Sequence, residues 1–262
     1  MRKFTKFVFT MVSAMIPALT ALTPANAGEL GVSTTVAFES RYVFRGIQFA
    51  ETSIQPAINL SYGNFYGGAW FNLPIGDDDL VVTPGGEELD LFAGYSVAID
   101  DAFTLDVGVT YYTFPDLASG FFDLFEEDGD GLGANTIEAY IGVTLTGPLS
   151  PALYVYHDFN FDTTTLQGAV SHSFPITEKT SFDLGGTLGY VIDDDDGGDY
   201  LYGAATADIS YAISDKGSIS FGGRFSGSDI TGGSIFDNNQ PGPGVTLQSS
   251  GFWWGVGFNA SF

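Results

Sequence analysis

No cysteine occurs in the 262 residues, and basic residues are scarce: eight lysines and arginines stand against 32 acids, with two histidines, for a net charge of -24. The missing cysteines exclude a disulfide framework, a thiolate metal site and a cysteine nucleophile. The missing positive charge argues against a nucleic-acid partner, because an acidic body repels phosphate. Long apolar runs are also absent after the first 27 residues, so no segment has the roughly 20 consecutive apolar residues of a spanning helix. What the chain has in quantity is glycine (35 residues) and aromatics (15%), the composition of an all-β protein with many turns.

The first 27 residues read as a targeting segment. Arg2, Lys3 and Lys6 precede an apolar stretch, Phe7–Leu22, and Ala25-Asn26-Ala27 supplies an A-x-A cleavage pattern before Gly28. The expected organisation is a signal peptide over 1–27 and one barrel domain over 28–262. Five cations then remain in the body of the chain: Arg41, Arg45, Lys179, Lys216 and Arg224.

Period-two alternation dominates the chain beyond Gly28. Val32, Thr34, Val36, Phe38, Tyr42 and Phe44 share one face, and Ser33, Thr35, Glu39, Arg41 and Arg45 the other. Leu89, Leu91, Ala93, Tyr95 and Val97 repeat the pattern opposite Glu88, Asp90 and Ser96. Such alternation marks strands with one apolar and one polar face. The expectation is about twelve strands, near 31–46, 54–63, 65–75, 87–99, 102–114, 135–146, 151–160, 164–175, 180–192, 200–213, 217–227 and 251–262. An even count of strands this long suits a transmembrane antiparallel up-and-down β-barrel. A soluble β-sandwich is the competing fold, since it alternates too.

The connections discriminate between the two. Short turns (63–64, 100–101, 147–150, 176–179, 214–216) alternate with mostly longer loops (47–53, 76–86, 115–134, 161–163, 193–199, 228–250). Long outside loops and short periplasmic turns are the outer-membrane arrangement. Asp77-Asp78-Asp79, Glu126-Glu127-Asp128 and Asp193–Asp196 fall in the long loops, whereas Lys179 and Lys216 fall in the turns. The last strand alternates Phe252, Trp254, Val256 and Phe258 and closes on Phe262, which resembles the assembly signal of bacterial outer-membrane proteins.

Ser40-Arg41-Tyr42-Val43-Phe44-Arg45-Gly46-Ile47, then Gln55-Pro56-Ala57, then Tyr66-Gly67-Gly68-Ala69-Trp70 form a further pattern. It resembles the TorF-type porins, the Gcw_chp family of uncharacterised bacterial proteins, with their "S-x-Y-x-F-R-G" strand, Gln-Pro and "G-x-W" strand. The resemblance implies an outer-membrane barrel with a porin-like role and supplies no catalytic residues.

With the apolar face toward lipid, the polar face lines the interior. The expected pore-lining residues are Glu39, Arg41, Arg45, Asp90, Asp106, Glu138, Asp158, Asp183, Asp208 and Arg224, with Tyr66, Tyr112, Tyr154, Tyr156, Tyr202 and Trp253 among the uncharged ones. Closure brings the strands of Arg41, Arg45 and Arg224 side by side, so the three arginines are expected on one wall and the acids on the others. Acids in excess predict a mild cation preference. Against this stands a plainer alternative: the charges pair and satisfy one another inside a narrow barrel.

Other chemistry is thinly represented. Glu126, Asp128, Asp130 and Gly131 resemble part of a calcium loop, but Ile137 stands where a bidentate Glu belongs, so weak Ca²⁺ binding at acidic loops is the most this spacing suggests, and no cofactor is expected. A lipase-like enzyme needs a histidine beside a nucleophile. His157 and His172 both fall on the lipid face by alternation, so no catalytic residues are assigned. The leading reading is an outer-membrane porin-like channel for passive, weakly cation-preferring diffusion of small solutes. Its partners are lipid, lipopolysaccharide and the outer-membrane assembly machinery. The alternatives are a non-conducting structural or adhesion barrel that displays acidic loops and, less favoured, the lipase-like enzyme.

Overall fold

The computed structural model describes residues 29–75, 87–115, 121, 135–193, 198–229 and 250–262. The leader expected over 1–27, most of the long loops and the Glu126–Asp130 acidic cluster lie outside these residues.

Fourteen strands are formed among the described residues, and twelve of them close a single antiparallel barrel. In chain order they are β1 (Leu30–Glu39), β2 (Tyr42–Phe44), β3 (Ile47–Ala50), β4 (Ser53–Tyr62), β5 (Phe65–Pro74), β6 (Glu88–Ala98), β7 (Phe103–Thr113), β8 (Thr136–Leu145), β9 (Ala152–Asp158), β10 (Thr163–Pro175), β11 (Thr180–Asp193), β12 (Tyr200–Ser214), β13 (Gly217–Ser228) and β14 (Ser250–Ser261). All but β2 and β3 belong to the barrel. Its strands pair in chain order, and β1 closes on β14 with Thr35 opposite Asn259 and Glu39 opposite Gly255. Closure leaves no strand edge open, which is what lets strands sit in hydrocarbon.

The outward face is an apolar belt. Leu60, Val109, Leu153, Leu188, Ile209 and Phe225 all point away from the interior and are exposed. In water such a surface would be costly; against lipid tails it is the favourable arrangement. The short turns are held by local side-chain bonds. Asp100 Oδ1 accepts from the amides of Ala102 and Phe103, each at 2.8 Å. Thr177 Oγ1 accepts from the amides of Lys179 and Thr180.

The first predicted strand is wrong beyond Glu39. β1 ends there, and β2 and β3 form a separate two-stranded hairpin before the chain rejoins the wall at β4. β1 and β4 are direct neighbours, Glu39 opposite Ser53, so the hairpin is an insertion between two paired strands. It folds into the barrel rather than over it. Its contacts are with inward side chains around the wall: Tyr42 with Trp70 of β5 and Phe44 with Tyr112 of β7, Arg45 with Glu138 of β8 and Tyr156 of β9, and Gly46 with Tyr202 of β12 and Ser228 of β13. Tyr42, Ile47, Phe49 and Ala50 are buried with Val191, Tyr200 and Tyr202. All these wall residues lie toward the ends of their strands that lead into the long loops, so the hairpin fills the loop-side mouth. Tyr42 and Phe44 therefore face the interior, not lipid, and 47–50 is not an outside loop. The reason is composition: Ile47, Phe49 and Tyr42 are too apolar to stand in water and find cover inside the mouth.

Candidate functional site

The interior holds three groups of polar chemistry. At the closing seam, the Arg224 guanidinium donates to Asp208 at 2.7 Å and to Glu39 at 3.3 Å. Trp253 Nε1 donates to the second oxygen of Glu39 at 3.1 Å. Arg224 and Asp208 are each 1% exposed, so these charges are compensated by one another rather than by bulk water.

Toward the short-turn ends of β5, β7 and β9, tyrosines converge on one carboxylate. Tyr66 donates to Asp106 Oδ1 at 2.8 Å and Tyr154 to Oδ2 at 3.2 Å, while the Tyr66 and Tyr140 hydroxyls lie 2.6 Å apart. The tyrosines can lie flat because the facing residue on the next strand is glycine. Tyr66 is registered with Gly94 and Tyr154 with Gly142. A Cβ on Gly142 would come 2.2 Å from the Tyr154 ring. Further along, Asp183 accepts from Ser173, Ser181 and Ser210 at 2.5–3.0 Å.

At the mouth, the hairpin tip carries the chemistry. Arg45 has φ +46° and Gly46 φ +81°. For Gly46 the close approach of Tyr202 and Ser228 also forbids a side chain, since a Cβ there would lie 2.7 Å and 2.8 Å from theirs. For Arg45 the left-handed backbone is a strained conformation. Its guanidinium donates to Glu138 Oε2 at 2.7 Å, and Tyr112 donates to Glu138 Oε1 at 3.0 Å. The guanidinium also packs on the rings of Phe44 (4.7 Å) and Tyr156 (4.9 Å). Burial opposes the charge on Arg45 most strongly, but the Glu138 carboxylate, its hydrogen bond and the neighbouring Tyr202 and Tyr112 together hold the group well above the usual arginine range. Burial pushes the Tyr42 phenol up, and the Glu88 and Asp90 carboxylates push it further, so it remains a hydrogen-bond donor, here to Glu88. A cavity lies at the hairpin and is bordered by Arg45, Glu138, Tyr112, Asp158 and Tyr200.

Most of the expected lining residues point inward as alternation requires. Glu39, Asp90, Asp106, Glu138, Asp158, Asp183, Asp208 and Arg224 are all buried inside the barrel. Asp158 accepts from Thr136 at 2.5 Å and from the amides of Asn160 and Phe161. Asp90 Oδ1 is buried with no hydrogen-bond partner among the described residues. The expected wall of three arginines does not form. Arg224 sits in the seam between its acids. Arg41 lies beside Gly251. Arg45 crosses the lumen to Glu138 on the far side, because residues 41–45 have left strand one. Both histidines alternate outward, with Phe159 and Phe174 edge-on to them and Thr164 Oγ1 3.0 Å from His157 Nδ1. Tyr140 and Glu88 line the interior without being among the expected residues, although each shares a face with one that is: Tyr140 with Glu138, Glu88 with Asp90.

Among solved structures, the fold is similar to the KdgM porin (TM-score 0.51, 12% identity, 88% of this chain and 99% of that one). It is also similar to the KdgM porin in complex with disordered oligogalacturonate (TM-score 0.53, 11% identity, 88% and 99%). The COG4313 outer membrane channel from Pseudomonas putida F1 aligns with TM-score 0.51 and 11% identity over 90% of this chain and 96% of that one. At these identities the likeness speaks for the fold: a closed antiparallel β-barrel of the kind found in outer-membrane channels. No curated protein matches the chain in sequence. The family model described as a bacterial protein of unknown function (Gcw_chp) matches residues 24–229, so the chain belongs to the Gcw_chp family.

Proposed function

We propose that the protein is exported by its N-terminal leader, sits in the outer membrane and passes small solutes passively, as a porin-like channel with a modest preference for cations. One observation carries this reading: along a closed barrel whose outer belt is apolar, the inward carboxylates of Glu39, Glu88, Asp90, Asp106, Glu138, Asp158, Asp183 and Asp208 outnumber the inward arginines. Rings and rows of acids in a confined lumen favour cation entry. They disfavour polyanionic sugars such as the oligogalacturonate found with the KdgM porin. The hairpin in the mouth sets how much passes. Reconstitution in a planar bilayer tests the proposal. Resolved current steps with a reversal potential on the cation side of a KCl gradient are expected; anion preference overturns the selectivity.

A second reading is favoured by the packing. Inward side chains such as Asp106, Glu138 and Asp208 are no more than 2% exposed, as in a filled core. A barrel of that kind would give a silent bilayer and serve as an envelope or adhesion element. The two readings separate in the same experiment, and excision of the hairpin sharpens it.

A further inference from the structure

We propose that the Glu138–Tyr156 corner of the lumen is a guanidinium-binding site, held in the resting state by the chain's own Arg45, for which alkylguanidinium solutes entering from the loop side compete. The corner has the parts such a site needs. Glu138 offers one carboxylate oxygen to the guanidinium at 2.7 Å while Tyr112 fixes the other at 3.0 Å. Tyr156 presents its ring at 4.9 Å. A guanidinium is planar and weakly hydrated and stacks on aromatic faces while it bonds carboxylate, so this pairing suits it better than a compact, strongly hydrated ammonium. The corner is built by the wall alone: Glu138 is on β8, Tyr156 on β9 and Tyr112 on β7. The inserted hairpin supplies the cation and a second aromatic face, the Phe44 ring at 4.7 Å.

Two features make the hairpin's hold exchangeable. Arg45 reaches the corner from a left-handed backbone position, φ +46°, so its seating carries strain that a free ligand does not. The corner also borders the cavity at the hairpin, which Glu138 and Tyr112 help to line, so a solute in that cavity is beside it. A tethered arginine acts as a competitor at an effective concentration of roughly millimolar order. Wild-type protein should therefore bind an alkylguanidinium weakly, and removal of the tethered group should expose the full affinity. The site stands independently of conduction; its use in selecting solutes rests on the channel reading.

Isothermal titration of the full chain, folded in detergent micelles, with methylguanidinium chloride tests this. Arg45→Ala is expected to bind methylguanidinium at least tenfold more tightly than wild type. The same variant should bind methylammonium and the neutral analogue N-methylurea at least tenfold more weakly than methylguanidinium. Arg45→Ala with Glu138→Gln should lose the gain. Should Arg45→Ala fail to fold, Arg45→Lys keeps a cation at the tip and is expected to show the same direction with a smaller gain. The proposal is overturned if neither Arg45 variant binds methylguanidinium more tightly than wild type, or if Glu138→Gln leaves the gain intact. The readout is heat of binding, so a silent bilayer would remove the channel reading without touching this one.

Discussion

Replacing Arg224 with methionine withdraws the guanidinium shared by Asp208 at 2.7 Å and Glu39 at 3.3 Å. At about 3 Å and an effective dielectric constant of about 20, each contact is worth roughly 5 kcal/mol of gross Coulomb attraction. Desolvation of three buried charges offsets most of that in the intact network. The variant retains the cost and loses the compensation. Methionine fills much of the volume, so the expected loss is chiefly electrostatic, about 3–5 kcal/mol, the range for breaking a buried ion pair by removing one partner. That corresponds to a fall in the folding equilibrium of roughly two to three and a half orders of magnitude. Denaturant titration of the protein folded in short-chain phosphatidylcholine vesicles measures it, with heat-modifiable gel migration as a check on barrel formation. Combining Glu39→Gln, Asp208→Asn and Arg224→Met replaces the charges with neutral groups of similar shape and should recover most of the loss. A single variant that loses less than about 1 kcal/mol would refute the reasoning, as would a triple variant as unstable as the single one.

Replacing residues 41–51 with a short Gly-Ser linker leaves the Glu39–Ser53 pairing in place and should raise unit conductance several-fold; unchanged conductance would show that the hairpin is not the constriction. Gly46→Val places a side chain against Tyr202 and Ser228, and it should raise conductance in the same direction without altering any charge. Leu188, 60% exposed on the outer belt, is expected to cost about 2–4 kcal/mol as arginine if it faces the bilayer midplane, measured by the same vesicle titration. Gly142→Val should cost about 1–3 kcal/mol by overpacking against Tyr154, and a Tyr154→Ala companion change should recover part of it, which a double-mutant cycle reads directly.

The barrel is legible in the sequence because its physics is periodic. Lipid outside and polar groups inside force a repeat of two, and that repeat alone places Glu39, Asp106, Glu138, Asp183, Asp208 and Arg224 inward. What alternation cannot register is a departure of the chain from the wall. Residues 42–44 continue the pattern of β1 in phase, so Tyr42 and Phe44 read as lipid-facing although they lie in the lumen. Two local signs mark the departure. The run 31–46 is longer than a spanning strand needs, and Ile47 and Phe49 are apolar in a segment otherwise read as a solvent loop. The pairing of charges is out of reach for a different reason. Arg45 meets Glu138 across the barrel, 93 positions along the chain, and nothing local in either segment encodes that distance.

The inward tyrosines have a consequence for how such a sequence can drift. Tyr154 is opposite Gly142, Tyr140 opposite Gly108 and Tyr66 opposite Gly94, and in each pair the ring occupies the place a Cβ would take. Neither partner is free to change alone: a larger residue in place of the glycine needs a smaller one in place of the ring, and the reverse substitution leaves a gap beside a backbone. Descendants of this chain should therefore exchange these positions as couples while the belt outside varies freely among apolar residues. Bulk would move from one strand to its neighbour, and the calibre of the lumen would persist even where every residue that sets it has been replaced.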